Sequence, residues 1–207
     1  MVNPKMDFGC AAYCKYAEQC LGDLPPELIA QKKDLLKDRV AIAMKHFFKQ
    51  DFKRIGHATK VARYAEQIAK EEKGDPAIAL SAAYLHDIGI KEAEARYQST
   101  EAKYQEELGP PIAREILTKL GAAPELIEEV CDIIGHHHHP RPEETMNFKI
   151  VYDADLIVNL EENQQGQKIP REKLDALIEK NFLTAAGREL ARKALLATEV
   201  TENTEKN

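Results

Sequence analysis

Tryptophan is absent from the sequence, and aromatic residues as a group fill only 6% of its 207 positions. A core built on large rings is thereby excluded. The apolar 43% falls instead largely to Ala, Leu and Ile, which suits helices. No apolar run approaches the ~18–20 residues of a membrane span. The N-terminus, MVNPKMDFGCAAYC, has no continuous apolar stretch of the secretory kind because Asp7 interrupts it. The same interruption excludes a lipoprotein reading of Phe8-Gly9-Cys10, and cytoplasmic residence is the expectation. Positive charge is not in excess either: the formal net charge is −6. Binding to duplex nucleic acid without sequence preference needs many Lys and Arg against phosphates, so it is not expected. A small phosphorylated substrate stays open, because a bound metal reverses the local charge.

What is present is helical periodicity, with no strand candidate and no internal repeat. The pattern predicts helices over 25–48 and 52–73, the second ended by Gly74. Asp75-Pro76, an N-cap followed by an N1 proline, starts a third that carries AIALSAAYLHD and ends near Gly89. Residues 91–108 read as loop with a short helix. Gly109-Pro110-Pro111 is expected to open IAREILTKL, and Pro124 to open ELIEEVCDII, which Gly135 stops. His136 to Pro142 reads as loop, 145–161 as helix, NQQGQKIP as a polar turn, and 171–197 as one or two helices. The expected organisation is a Cys-containing segment over 1–24, a helical domain over 25–197 and a disordered polar tail over 198–207. Its length is that of a single core.

The residues that carry chemistry lie on three of these helices. His86-Asp87 closes the apolar run AAYLHDIG, His57 stands in RIGHATKVARYA, and Asp155 stands in VYDADLIVNL. An adjacent His-Asp alone is weak evidence, because a capping Asp beside a partly buried His looks the same. Three such placements on apolar helix faces are more informative, since unpartnered charge there is penalised and a shared cation satisfies all of it. Mixed imidazole and carboxylate donors suit Mn, Fe, Co, Ni or Zn better than Ca, and suit Mg with added waters.

In that order, a His, then His-Asp, then a distant Asp after Ala, the sequence resembles the HD superfamily of metal-dependent phosphohydrolases. The likeness spans about residues 51–160 and includes the form LHDIG. It implies an all-α fold, a single HD-type helical domain with a short Cys-containing N-terminal appendage. It also implies His57, His86, Asp87 and Asp155 as ligands of a divalent metal. Asp153 competes with Asp155 and, two residues along a helix, points to a different side; the resemblance favours Asp155, since the family's Asp directly follows Ala and precedes a short apolar stretch. The implied reaction is metal-assisted hydrolysis of a phosphate ester of a nucleotide or related metabolite, with Asp87 orienting the attacking water or accepting its proton.

Members with two or three metals carry extra His after a helix resembling ELIEEVCDII, and His136 and His137 fall there in the run His136-His137-His138-His139. Those members usually also carry a His near the start of the preceding helix, where this chain reads Glu107-Leu108-Gly109-Pro110. The glycine-tyrosine-proline signature of cyclic-di-GMP phosphodiesterases is also missing after the run. A solvated His-rich loop is the competing reading.

Basic side chains commonly clamp phosphate beside a hydrolytic metal. Lys91 and Arg54 are the substrate-binding candidates here, with Lys60 and Arg141 also close in sequence. Cys10, Cys14 and Cys20, spaced C-x3-C-x5-C, are a further candidate site for zinc or an iron–sulfur cluster. Partly buried thiols are the alternative, and Cys131 reads as a small core residue. Three other functions therefore stay open: a cyclic or dinucleoside phosphodiesterase, a metal- or redox-sensing module using the cysteines, and an oxygen-using di-iron enzyme.

Overall fold

The structure is a computed structural model that describes residues 33–164 and 169–196. Among the described residues there are nine helices and no strand. They are α1 Lys33–Phe48, α2 Phe52–Glu72, α3 Pro76–Leu85, α4 Ile90–Tyr97, α5 Ala102–Lys119, α6 Pro124–Ile134, α7 Met146–Gln164, α8 Arg171–Asn181 and α9 Ala185–Leu196. The all-α expectation holds. No helix among them is long and apolar enough to cross a membrane. The segment 1–24 with Cys10, Cys14 and Cys20, and the tail 198–207, lie outside the described residues.

Helix α3 organises the rest. Its sequence, PAIALSAAYL, has no polar face, and Ala77, Ala79, Leu80, Ser81, Ala82, Ala83 and Leu85 are all buried. A helix that is apolar all round belongs in a core. Its alanines let neighbouring helices approach closely, and α1, α2, α6 and α7 pack around it. Asp75 caps its start, accepting from the Ala77 N–H at 2.8 Å, with Pro76 in the first turn as anticipated. Asn147 of α7 ties the same end down. Its Oδ1 accepts from the Asp75 N–H and its Nδ2 donates to Glu129, each at 2.8 Å.

Three elements differ from expectation. Helix α2 ends with Lys73, not Gly74, in the left-handed conformation (φ 59°), and the N–H groups of both close onto the Ala69 carbonyl. The stretch 91–108 is mostly helical, as α4 and the first part of α5. Helix α5 also runs through Pro110 and Pro111 rather than starting there. Each proline removes an intrahelical hydrogen bond. Tertiary packing outweighs that loss: Gly109 lies against the turn at His86–Gly89 and against Ile134, space that any side chain at 109 would need. That contact seats α5 directly on the turn after α3.

Asp153 has a structural task. It is fully buried and accepts from the Leu183 N–H, the Thr184 N–H and the Thr184 hydroxyl at 2.7–2.8 Å, fastening the α8–α9 turn to α7. Removing it strands buried donors, at roughly 1–3 kcal/mol for such a loss. We expect Asp153→Ala to unfold at markedly lower denaturant while its metal content stays that of the wild type. Urea denaturation and elemental analysis check the two halves.

Candidate metal centre

His86 and Asp87 leave α3 at its C-terminal end, inside the core. The His86 ring is completely buried, and its Nδ1 donates to the Ala83 carbonyl at 2.8 Å, one of the last carbonyls of α3 and free of a helical donor. That bond turns Nε2 toward α2 and α7, where His57 and Asp155 wait. His57 Nε2 lies 3.3 Å from His86 Nε2 and 3.1 Å from Asp155 Oδ1, and His86 Nε2 lies 3.5 Å from the same oxygen. Asp155 Oδ2 is occupied separately, accepting from Asn159 Nδ2 at 2.9 Å, which leaves Oδ1 to face the two imidazoles. Asp87 completes the group, with Oδ2 3.5 Å from His86 Nε2 and 3.8 Å from His57 Nε2.

A second group shares Asp87. Its other oxygen, Oδ1, lies 3.8 Å from His137 Nε2, and Asp87, His137 and His138 offer ligand atoms within 4.8 Å of one another. His137 is 2% exposed, and its Nδ1 is fixed by the Ile134 carbonyl at 2.8 Å. Its Nε2 is buried without a hydrogen-bond partner. An unpartnered buried imidazole nitrogen is unfavourable and points to a ligand in the space it faces.

The donor set fits a divalent cation. Ligand atoms about 2.1 Å from a metal lie roughly 3.0–3.4 Å from each other, close to the spacing within the His57, His86 and Asp155 group. The electrostatics agree. At His86 burial opposes the imidazolium, yet Asp87 and Asp155 outweigh it and hold its pKa well above the usual value. Burial opposes both carboxylates as well. His86 and His137 hold Asp87 well below the carboxylate range, and His57 and His86 do the same for Asp155. Positive charge is thus held against two ionised carboxylates, a balance a cation would supply. His138 is pushed down to about 4 by burial and by its neighbour His137, which leaves it neutral near pH 7.

The structure brings together His57, His86, Asp87 and Asp155, and turns Asp153 away into the α8–α9 turn. It corrects the placing of His136. Both its ring nitrogens are engaged, by the Asp132 carbonyl at 2.5 Å and by Glu144 at 3.0 Å, and the ring stacks on Phe148. His138, not singled out within the run by the sequence, lies with Asp87 and His137 instead. Two carboxylates set this register: Glu144 holds His136, and Glu106 of α5 accepts from the His138 N–H and from His139 Nδ1. A four-residue His run gives no sign of which members a turn will face inward.

The basic candidates have partners of their own. Arg54 is paired with Asp51 and Glu94 at 2.6 and 2.5 Å. The Lys91 ammonium donates to the Phe47 and Phe48 carbonyls at the end of α1. Arg141 is paired with Asp132 at 2.7 Å. Each neutralises a helix end or a carboxylate outside the cluster. Only Lys60 adjoins the ligand group, 3.4 Å from Glu162, which itself lies 3.4 Å from His57 Nδ1. Cys131 is buried and free, its thiol donating to the Pro110 carbonyl at 3.4 Å, as a core residue would.

The HD domain family model matches residues 54–160, just over half of the chain, and the chain belongs to that family. Among curated proteins, the chain is similar to ribonuclease Y from two strains of Thermus thermophilus, 29% identical to one and 28% identical to the other, each over 172 residues. These matches cover 72% of this chain but 28% of each relative's length. The fold is similar to the crystal structure of a predicted HD superfamily hydrolase from an uncultured Thermotogales bacterium, with a TM-score of 0.57 and 24% identity. That match covers 81% of this chain and 88% of the other.

Proposed function

We propose that this chain is a metal-dependent phosphohydrolase that cleaves a phosphate ester of a nucleotide or related compound. The observation that carries the reading is one carboxylate, Asp87, shared between two buried donor groups. Family membership supports hydrolysis as the reaction. Divalent cations of the Mn, Fe, Co, Ni, Zn or Mg class, when bound, supply Lewis acidity toward a phosphoryl oxygen and acidify a water. His57, His86 and Asp155 would hold one such cation, His137 and His138 would hold a second, and Asp87 lies within reach of both groups.

Asp87 also faces the solvent side, its side chain 20% exposed where those of His86 and His137 are each 1% exposed. It is therefore the ligand that meets an incoming phosphate and orients the attacking water. Asp87 is placed to orient that water or accept its proton. Arg54, Lys91 and Arg141 are engaged elsewhere, so a bound cation would offset charge on the phosphoryl group more than these three side chains do.

The likeness to proteins named ribonuclease Y favours a second reading within the same chemistry, a phosphodiesterase acting on a cyclic, dinucleoside or longer phosphodiester. A panel of nucleoside monophosphates, bis(p-nitrophenyl) phosphate, dinucleotides and single-stranded RNA, each with Mn, Fe, Co, Ni, Zn and Mg, separates the two. Phosphate release from monoesters supports the first reading. Cleavage confined to diesters supports the second. No turnover of any substrate with any metal contradicts both.

The His run provides its own check. His137→Ala and His138→Ala are each expected to lower bound metal by one equivalent and reduce turnover by at least the roughly 10- to 100-fold seen for lost supporting residues. His139→Gln, altering a side chain that is 67% exposed, should keep metal and rate. Elemental analysis beside the rate assay reads both.

A further inference from the structure

We propose that Glu162 is a positioning residue for His57: its carboxylate accepts the Nδ1–H and fixes the ring with Nε2 turned toward His86 and Asp155. This rests on the reading of that group as a metal site.

The need for such a residue follows from where the histidines stand. His86 and His137 each follow the end of a helix, and each hands its Nδ1 proton to one of the last carbonyls, Ala83 and Ile134. Helix C-termini leave those carbonyls free. His57 stands inside α2, where the carbonyl oxygens one turn back are engaged by helical N–H groups. Its Nδ1 has to find a side chain instead.

Glu162 is that side chain. It comes from α7, which packs closely along α2. Its Oε2 lies 3.4 Å from His57 Nδ1, at ion-pair distance, and its Oε1 lies 3.4 Å from Lys60 Nζ. Lys60 follows His57 by three residues on the same face of α2, so it holds the carboxylate against the imidazole. Helix α7 then serves the site from three successive positions on one face. Asp155 contributes the ligand oxygen, Asn159 takes the other oxygen of Asp155, and Glu162 orients His57. The spacing i, i+4, i+7 is that of one helix stripe. A ligating histidine whose second nitrogen donates to a carboxylate is both oriented and made more basic.

Two readouts test this in full-length protein stripped with a chelator. Calorimetric titration with Mn2+ gives the affinity. Nitrogen-15 histidine spectra of the zinc-loaded protein give the state of His57 Nδ1. Glu162→Ala is expected to weaken Mn2+ binding by roughly 10- to 100-fold. Glu162→Gln keeps an acceptor but not the charge, and is expected to fall between, with a shifted Nδ1–H resonance. Wild-type affinity together with an unshifted resonance in either variant overturns the inference and leaves the metal site standing. If wild-type protein binds no Mn2+, the metal reading falls and the inference falls with it.

Discussion

Asp87→Ala should abolish hydrolysis and strip metal from both donor groups at once. Supporting residues around a metal typically contribute 10- to 100-fold, so loss of a ligand shared by two groups is expected to exceed about 100-fold in rate. Electrostatics deepens the effect. The Asp87 carboxylate lies 3.5 Å from His86 Nε2 on one side and 3.8 Å from His137 Nε2 on the other. Without it, a cation would meet only Asp155 to balance its charge. The fold should persist, because Asp87 lies in the turn after α3 and is not among the residues that fill the core. Circular dichroism with elemental analysis separates loss of metal from loss of structure. Near-wild-type turnover and stoichiometry in Asp87→Ala would remove this residue from the site.

The second large effect concerns Gly89, two residues further on. A Cβ there would stand 2.6 Å from both the Gln105 carbonyl oxygen and the Gly109 nitrogen, and 3.0 Å from Gly109 Cα. All three are backbone atoms of α5, so no side chain can rotate aside. Gly89→Ala must push α5 off the turn that carries His86 and Asp87. Overpacking typically costs 1–3 kcal/mol, and this rigid contact is expected at the upper end, about 3 kcal/mol. At about 2–4 °C per kcal/mol for a chain of this size, Tm should fall by roughly 6–12 °C. Hydrolysis should fall too, since the displaced turn holds the shared ligand. Gly56 is the internal control. A Cβ there meets nothing within 4 Å, and the residue lies inside α2. Gly56→Ala should therefore stabilise the protein by up to about 1 kcal/mol through helix propensity. Thermal melts of the two variants side by side read both signs.

The parts of this arrangement legible in the sequence are those fixed by local chemistry. Asp75-Pro76 announces the start of α3, an unbroken apolar run announces its burial, and His-Asp at its end places polar donors where only partners can make them tolerable. The preference for Asp155 over Asp153 comes from the family resemblance, whose Asp directly follows Ala; helix geometry says only that residues two apart point to different sides. What was not legible depends on contacts between distant elements. The prolines at 110 and 111 look like a helix start, and only the seat of Gly109 against the His86–Gly89 turn explains why α5 runs through them. His138 faces inward because Glu106 and Glu144, 32 and eight residues from their partners, fix the turn. Arg54 and Lys91 are near the ligands in sequence, but Glu94 and the last carbonyls of α1 hold them. Glu162 carries no motif at all; its part emerges once α7 is laid along α2.

The most direct test of the central claim is hydrolysis of a phosphate ester by full-length protein before chelation, after chelation and after Mn2+ is restored. The account predicts that release of product stops when the metal is removed, returns with Mn2+, and does not return in Asp87→Ala protein. Hydrolysis that continues unchanged in metal-stripped protein, or that Mn2+ restores equally in Asp87→Ala, would contradict it.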